Sequence, residues 1–218
     1  MGRTLKRRII VLLPLVLIAF AIHQFLFWTT PGYELDRLEF QLHWRCNAGL
    51  SHDEKEKVAI YFNHHTTDQT LQTASELLSG VPVIHRIHIP IHCQITSAGF
   101  ASLTQLKGVM ELLIDDNILD AASFNNIAKI PSLRVLRFQD IVITTEMLLE
   151  LKGATALETL YISCHKNGIC GTIDSEGLER ICSIPSLKKL VLIGMDVNEA
   201  AKDNVVTARP DLELTIAN

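Results

Sequence analysis

The chain has 218 residues, of which 48 % are hydrophobic, 20 basic and 24 acidic. That length accommodates one sizeable core plus an appendage, and with 11 glycines and 7 prolines the composition excludes a long disordered region. All 24 acidic residues follow residue 30, together with 16 of the basic ones, so that part has a formal charge of −8, which excludes nonspecific nucleic-acid binding.

Arg3, Lys6, Arg7 and Arg8 precede an uncharged run from Ile9 to Trp28, and no charged residue stands between Arg8 and Glu34. A run of that length suffices for a helix across a bilayer. The basic flank, opposed to Glu34 and Asp36 on the far side, sets the N-terminus in the cytoplasm and the remainder in the periplasm or outside the cell. The expected organisation is a basic cytoplasmic stretch at 1–8, a transmembrane signal anchor at 9–28, a juxtamembrane and capping segment at 29–57, and a repeat domain at 58–218. A cleaved signal peptide is the rival reading, because Ala19-Phe20-Ala21 fits a small-x-small cleavage site. Hydrophobicity that resumes at Ile22 and runs to Trp28 favours the retained anchor.

In the capping segment Leu38, Phe40 and Leu42 alternate like a strand, and Ser51 to Lys57 reads as the start of a helix with a charged first turn.

From there on the chain repeats itself. IPSLRVLRF at Ile130 to Phe138 returns as IPSLKKLVL at Ile184 to Leu192. The apolar triplet Leu133, Leu136, Phe138 recurs as Ile84, Ile87, Ile89, as Val109, Leu112, Ile114, as Leu157, Leu160, Ile162 and as Leu187, Leu190, Leu192. Successive middle members are 25, 24, 24 and 30 residues apart, and Pro82, Pro131 and Pro185 each stand two residues before their triplets. A second apolar column follows each triplet: Ile95 and Phe100, Leu119 and Phe124, Ile143 and Leu148, Ile173 and Leu178. Thr96, Ser97, Asp120, Thr144, Asp174 and Ser175 occupy the positions where a helix N-cap belongs.

Each unit therefore predicts a short strand, a turn and a helix of two to three turns. One such unit cannot bury its apolar side alone, so the units must stack. Carried back by 29 residues, the register lands on Val58 and Ile60, a divergent first unit. Carried forward by 25, it puts Thr215 and Ala217 where large apolar residues belong, the composition of a terminal cap.

With these columns in place, the chain from about Val58 onward resembles the leucine-rich repeat family, nearest its ribonuclease-inhibitor-like class, through the LxxLxL pattern of Leu133 to Phe138 and Leu187 to Leu192. Asn63 and Asn117 match the asparagine customary after the triplet; His92, Ile141, His165 and Met195 depart from it. The resemblance implies an α/β fold, a leucine-rich repeat solenoid of about six units with short parallel strands inside and helices outside, here following an N-terminal transmembrane helix. It also implies a protein-binding role without a cofactor.

Chemistry is harder to place. The five cysteines, Cys46, Cys93, Cys164, Cys170 and Cys182, include no CxxC pair, so neither a zinc finger nor a redox dithiol is indicated. In an oxidising compartment Cys164 and Cys170 are the nearest candidates to pair, closing an insertion at about Cys164 to Thr172 that projects between strand and helix. His85, His88, His92 and Cys93, with His64 and His65 one unit earlier, raise the alternative of a metal- or thiol-dependent enzyme, which requires ligands that converge on one point. GxSxG, HExxH and a glycine-rich phosphate loop are all missing, and no catalytic or metal-binding residue is assigned. A structural subunit of a membrane complex is a further alternative.

The strand residues between the buried columns point to the opposite face. One row is His88, Leu113, Arg137, Tyr161 and Val191; its neighbours include Val135 on one side and Asp115 and Ile193 on the other. These eight residues form the expected protein-binding face. A solvated sheet surface would be mostly polar, whereas apolar and aromatic side chains mixed with arginine suit protein recognition.

Overall fold

The computed structural model describes residues 19–25, 27, 34–52, 58–165 and 170–217. Two compact units divide the chain, Met1–Phe40 and Gln41–Asn218. In the first, residues 19–25 are helical, the Phe27 and Phe40 rings meet edge to face at 6.1 Å, and Arg37 donates to the Phe27 carbonyl oxygen.

The first labelled helix, α1 (Glu34–Cys46), places Glu34 and Asp36 in its first turn and His43 and Arg45 in its last, the arrangement a helix dipole favours. It replaces the strand expected around Leu38 to Leu42. Leu35, Leu38, Leu42 and Cys46 also recur at steps of three and four, and this longer periodicity wins. The chain then forms strand β1 (Gly49–His52) where a helix start was expected from Ser51; residues 53–57 of that expectation lie outside the described residues.

Strands and helices alternate through the second unit: β2 (Val58–Tyr61), α2 (Asp68–Leu78), β3 (Ile84–Ile89), α3 (Ser97–Leu103), β4 (Val109–Asp115), α4 (Ala121–Ala128), β5 (Val135–Gln139), α5 (Thr145–Glu150) and β6 (Thr159–Ser163). They are followed by β7 (Thr172–Ile173), α6 (Ser175–Cys182), β8 (Lys189–Ile193), β9 (Asp196–Val197), α7 (Glu199–Ala208) and β10 (Glu213–Ala217). The main sheet has eight strands in the order β1-β2-β3-β4-β5-β6-β8-β10, and β7 pairs with β9 in a small second sheet.

Two parts of the expected fold are corrected. The uniformly parallel solenoid gives way to an α/β fold on a mixed, mostly parallel sheet, because β1 pairs antiparallel with β2. The numbering gap from His52 to Val58 is too short for the crossover that a parallel neighbour needs. The transmembrane helix at 9–28 is not supported either: among the described residues no helix is long and apolar enough to cross a membrane. Residues 9–18, 26 and 28 of that span, and the orientation argument resting on residues 1–8, lie outside the described residues. The helix that follows opens on Glu34, Asp36 and Arg37, groups a hydrocarbon interior does not take.

The core lies under the sheet. Ile87, Leu112, Leu136, Leu160 and Leu190 are fully buried, as are the flanking Ile89, Ile114, Phe138 and Leu192. Phe100, Phe124, Leu148 and Leu178 of the helices are buried as well. Phe124 of α4 stacks on Phe138 of β5 with centroids 4.8 Å apart, which joins that helix to its strand through large apolar side chains. Thr67, Thr96, Asp120, Thr144, Asp174 and Asn198 each cap a helix by accepting a backbone N–H through the side chain.

Two register expectations are also corrected. Ile60 pairs with Ile87 and Val58 with Ile84, with a bulge after Val58, so the first unit sits 27 residues back from the reference rather than 29. Alternation has a period of two, and an even shift leaves every side chain on its face. At the other end Leu214 pairs with Leu190 and Ile216 with Leu192, a step of 24 rather than 25. The last strand therefore presents large apolar residues to the inner column, where Thr215 and Ala217 were expected.

Chain exits from the strands share one device. His92, Asp116, Asp140 and Gly194 take φ of 60°, 38°, 56° and 66°, and each donates its N–H to the next strand region, as Asp116 does to Gln139 at 2.8 Å. At Gly194 a Cβ would fall 2.0 Å from the Cys164 carbonyl oxygen, so glycine is required by both conformation and space.

Candidate functional site

The outward rows of the sheet come into line strand by strand. His88, Leu113, Arg137, Tyr161 and Val191 are consecutive register partners across β3, β4, β5, β6 and β8. Arg86, Glu111, Val135, Thr159 and Lys189 form the row on one side, and Asp115, Gln139, Ser163 and Ile193 the row on the other. Leu113, Val135, Tyr161 and Ile193 are half-buried. Val191, short and flanked in its row by Tyr161 and Thr215, is only 7 % exposed, so it offers little contact area.

An ion cluster organises the middle of this face. The Glu111 carboxylate accepts from Arg86 Nε at 2.9 Å and from Arg137 Nε at 2.8 Å, and the terminal nitrogen of Arg86 approaches it at 2.8 Å. The Arg137 guanidinium carbon stands 5.3 Å from the Tyr161 ring centroid, a cation–π distance. Together with Leu113, Gln139, Ser163 and His165 these groups line an open recess of about 300 Å³. At the rim, His88 Nε2 lies 2.7 Å from Asp115 Oδ2, and Tyr61 meets the His88 ring edge to face at 6.0 Å.

Alternation accounts for the rows, but the sequence reading did not draw Glu111 into a cluster with two arginines. The signal was available, since Arg86 and Arg137 occupy positions directly and diagonally across from Glu111 on neighbouring strands.

The residues of the enzyme alternative are dispersed. His88 is held by Asp115, Cys93 donates to the Asn63 carbonyl oxygen, and the His64 and His65 rings meet one another at a tilt, centroids 4.0 Å apart. Among the described residues one trio of potential ligands approaches within 4.8 Å, Asp140 with Cys164 and Cys170. The two sulfurs of that trio are joined in a disulfide, which removes them as thiolate ligands. Burial pushes the free thiols of Cys46 and Cys93 up, and that of Cys182 up to about 11, away from the depressed value of a nucleophilic cysteine. A second recess, of about 400 Å³, lies where α6 and α7 meet, lined by Cys182, Val205 and Arg209 among others. Arg209 is committed there to the Cys182 and Leu187 carbonyl oxygens and to Asp211.

No protein-family model matches the chain, and no curated protein matches it.

Proposed function

We propose that this chain is a protein-recognition module that binds a partner protein through the outward face of its sheet, the role implied by the resemblance of its strand-and-helix units to leucine-rich repeats. The observation that carries the reading is the row Leu113, Arg137, Tyr161 with Val135 and Ile193 beside it, half-buried and ordered by cross-strand pairing. Half-exposed aromatic and aliphatic groups around an arginine have the composition of an interface centre. Because the face is built on paired strands rather than on loops, little ordering entropy is lost when a partner docks.

The test is capture by chemical cross-linking from cell extract, followed by reconstitution of the identified partner with purified chain. A variant carrying Leu113→Ala, Arg137→Ala and Tyr161→Ala, checked for an unchanged circular dichroism spectrum, should lose the reconstituted complex. Equal binding by the variant would move the site off this face.

A further inference from the structure

The recess at the centre of the face has a charge imbalance that selects among partners. Two guanidinium groups meet one carboxylate: Glu111 is 7 % exposed in its side chain, while Arg86 and Arg137 are 37 % and 41 % exposed. The anion is tucked under the surface and the cations reach solvent. A part of the chain with formal charge −8 thus turns a locally cationic surface outward here.

Arg137 is the more available of the two. Its Nε donates to Glu111, and among the described residues the outer fork of two terminal nitrogens has no other hydrogen-bond partner. That fork matches the two oxygens of a carboxylate. Glu111 on one side and the Tyr161 ring at 5.3 Å on the other hold the guanidinium in place, so docking onto it costs little side-chain freedom. Leu113 and Tyr161 flank it with apolar surface.

We propose that the recess receives an acidic side chain of a partner peptide segment, an Asp or Glu docked in two-pronged fashion on the outer fork of Arg137, with an adjacent apolar residue lying against Leu113 and Tyr161. This rests on the recognition reading above and names the chemistry of its partner. Charge complementarity sets the choice: two guanidinium groups, each more than a third exposed, stand over one carboxylate that is 7 % exposed.

The experiment pans a random twelve-residue peptide display library on the full-length chain, then measures the enriched peptides by fluorescence anisotropy against wild type, Arg137→Gln, Arg137→Lys and Tyr161→Ala. Arg86 still binds Glu111 through two nitrogens in the Arg137 variants, and thermal melts confirm that each is folded. Enrichment of Asp or Glu beside an apolar residue is expected. So is a loss of affinity of roughly tenfold or more in Arg137→Gln, as for a hydrogen bond to a charged group, with part of it restored in Arg137→Lys, which keeps the charge without the fork. Changing the acidic residue of the peptide to its amide should cost about as much on wild type and little on Arg137→Gln. Enrichment of neutral or basic peptides whose binding falls in Tyr161→Ala but not in Arg137→Gln would overturn the acidic partner and leave the recognition face standing. Peptides indifferent to every variant, or no enrichment, would overturn both.

Discussion

Glu111 provides a quantitative test of the ion cluster. Three contacts of 2.8 to 2.9 Å from two arginines satisfy a carboxylate that is 7 % exposed. Removing one arginine by Arg86→Met or Arg137→Met leaves the other in place, and the lost partner was partly solvated, so each single change should cost about 1 kcal/mol. Removing both leaves a buried carboxylate without a cation, for which about 3–5 kcal/mol is expected. The double-mutant cycle should therefore show a coupling of about 1–3 kcal/mol beyond the sum of the single changes. Urea unfolding at pH 7 reads this directly as midpoint shifts at constant slope. If the double variant falls within about 0.5 kcal/mol of the sum, Glu111 does not depend on this pair of cations, and the preorganised fork of Arg137 loses its physical basis.

The N-cap Asp120 accepts from the Ser123 backbone N–H at 2.7 Å and its hydroxyl at 2.6 Å, so Asp120→Ala should lower stability by about 1 kcal/mol in urea. Because those hydrogen bonds hold the Asp120 carboxyl below its usual value, the contribution is present above the unfolded carboxyl's titration and lost as pH falls through the folded one; an Asp120→Ala penalty unchanged at pH 2 would contradict this. Burial of Cys182 raises its thiol to about 11, so its contribution is complete below pH 9 and lost as pH rises towards 11. At pH 8 a thiol reagent should label half-exposed Cys93 well before Cys182, and fast labelling of Cys182 in the folded protein would refute the packing around it. The disulfide closes a sequence separation of 6, for which loop entropy gives about 2 kcal/mol; a Cys164→Ala, Cys170→Ala variant that unfolds at the wild-type urea midpoint would refute that.

Much of the fold was legible because two periodicities are written into the chain. A triplet such as Leu133, Leu136, Phe138 has the spacing of one buried strand face, and the polar residue before Phe124 or Leu178 has the chemistry of a cap. The row His88, Leu113, Arg137, Tyr161, Val191 could be written down in advance, because residues alternating with buried ones must point the other way. What misled the reading were places where two patterns fit the same residues. Leu38 to Leu42 satisfies strand and helix spacing alike, and Val58 and Ile60 satisfy two registers that differ by an even step.

The sequence alone determined which residues are apolar, at what interval they return, and hence that strands and helices alternate and must be stacked to be stable. Tertiary structure decided the rest. It turned β1 antiparallel, brought Leu214 and Ile216 into the inner column, joined Cys164 to Cys170, and set Glu111 between Arg86 and Arg137 with the Tyr161 ring beside the outer fork. The physical reason is distance along the chain. Local periodicity is enforced within a few residues of backbone geometry, whereas Arg86 and Arg137 meet the same carboxylate from 25 and 26 residues away, and that meeting depends on how far each strand slides against the next.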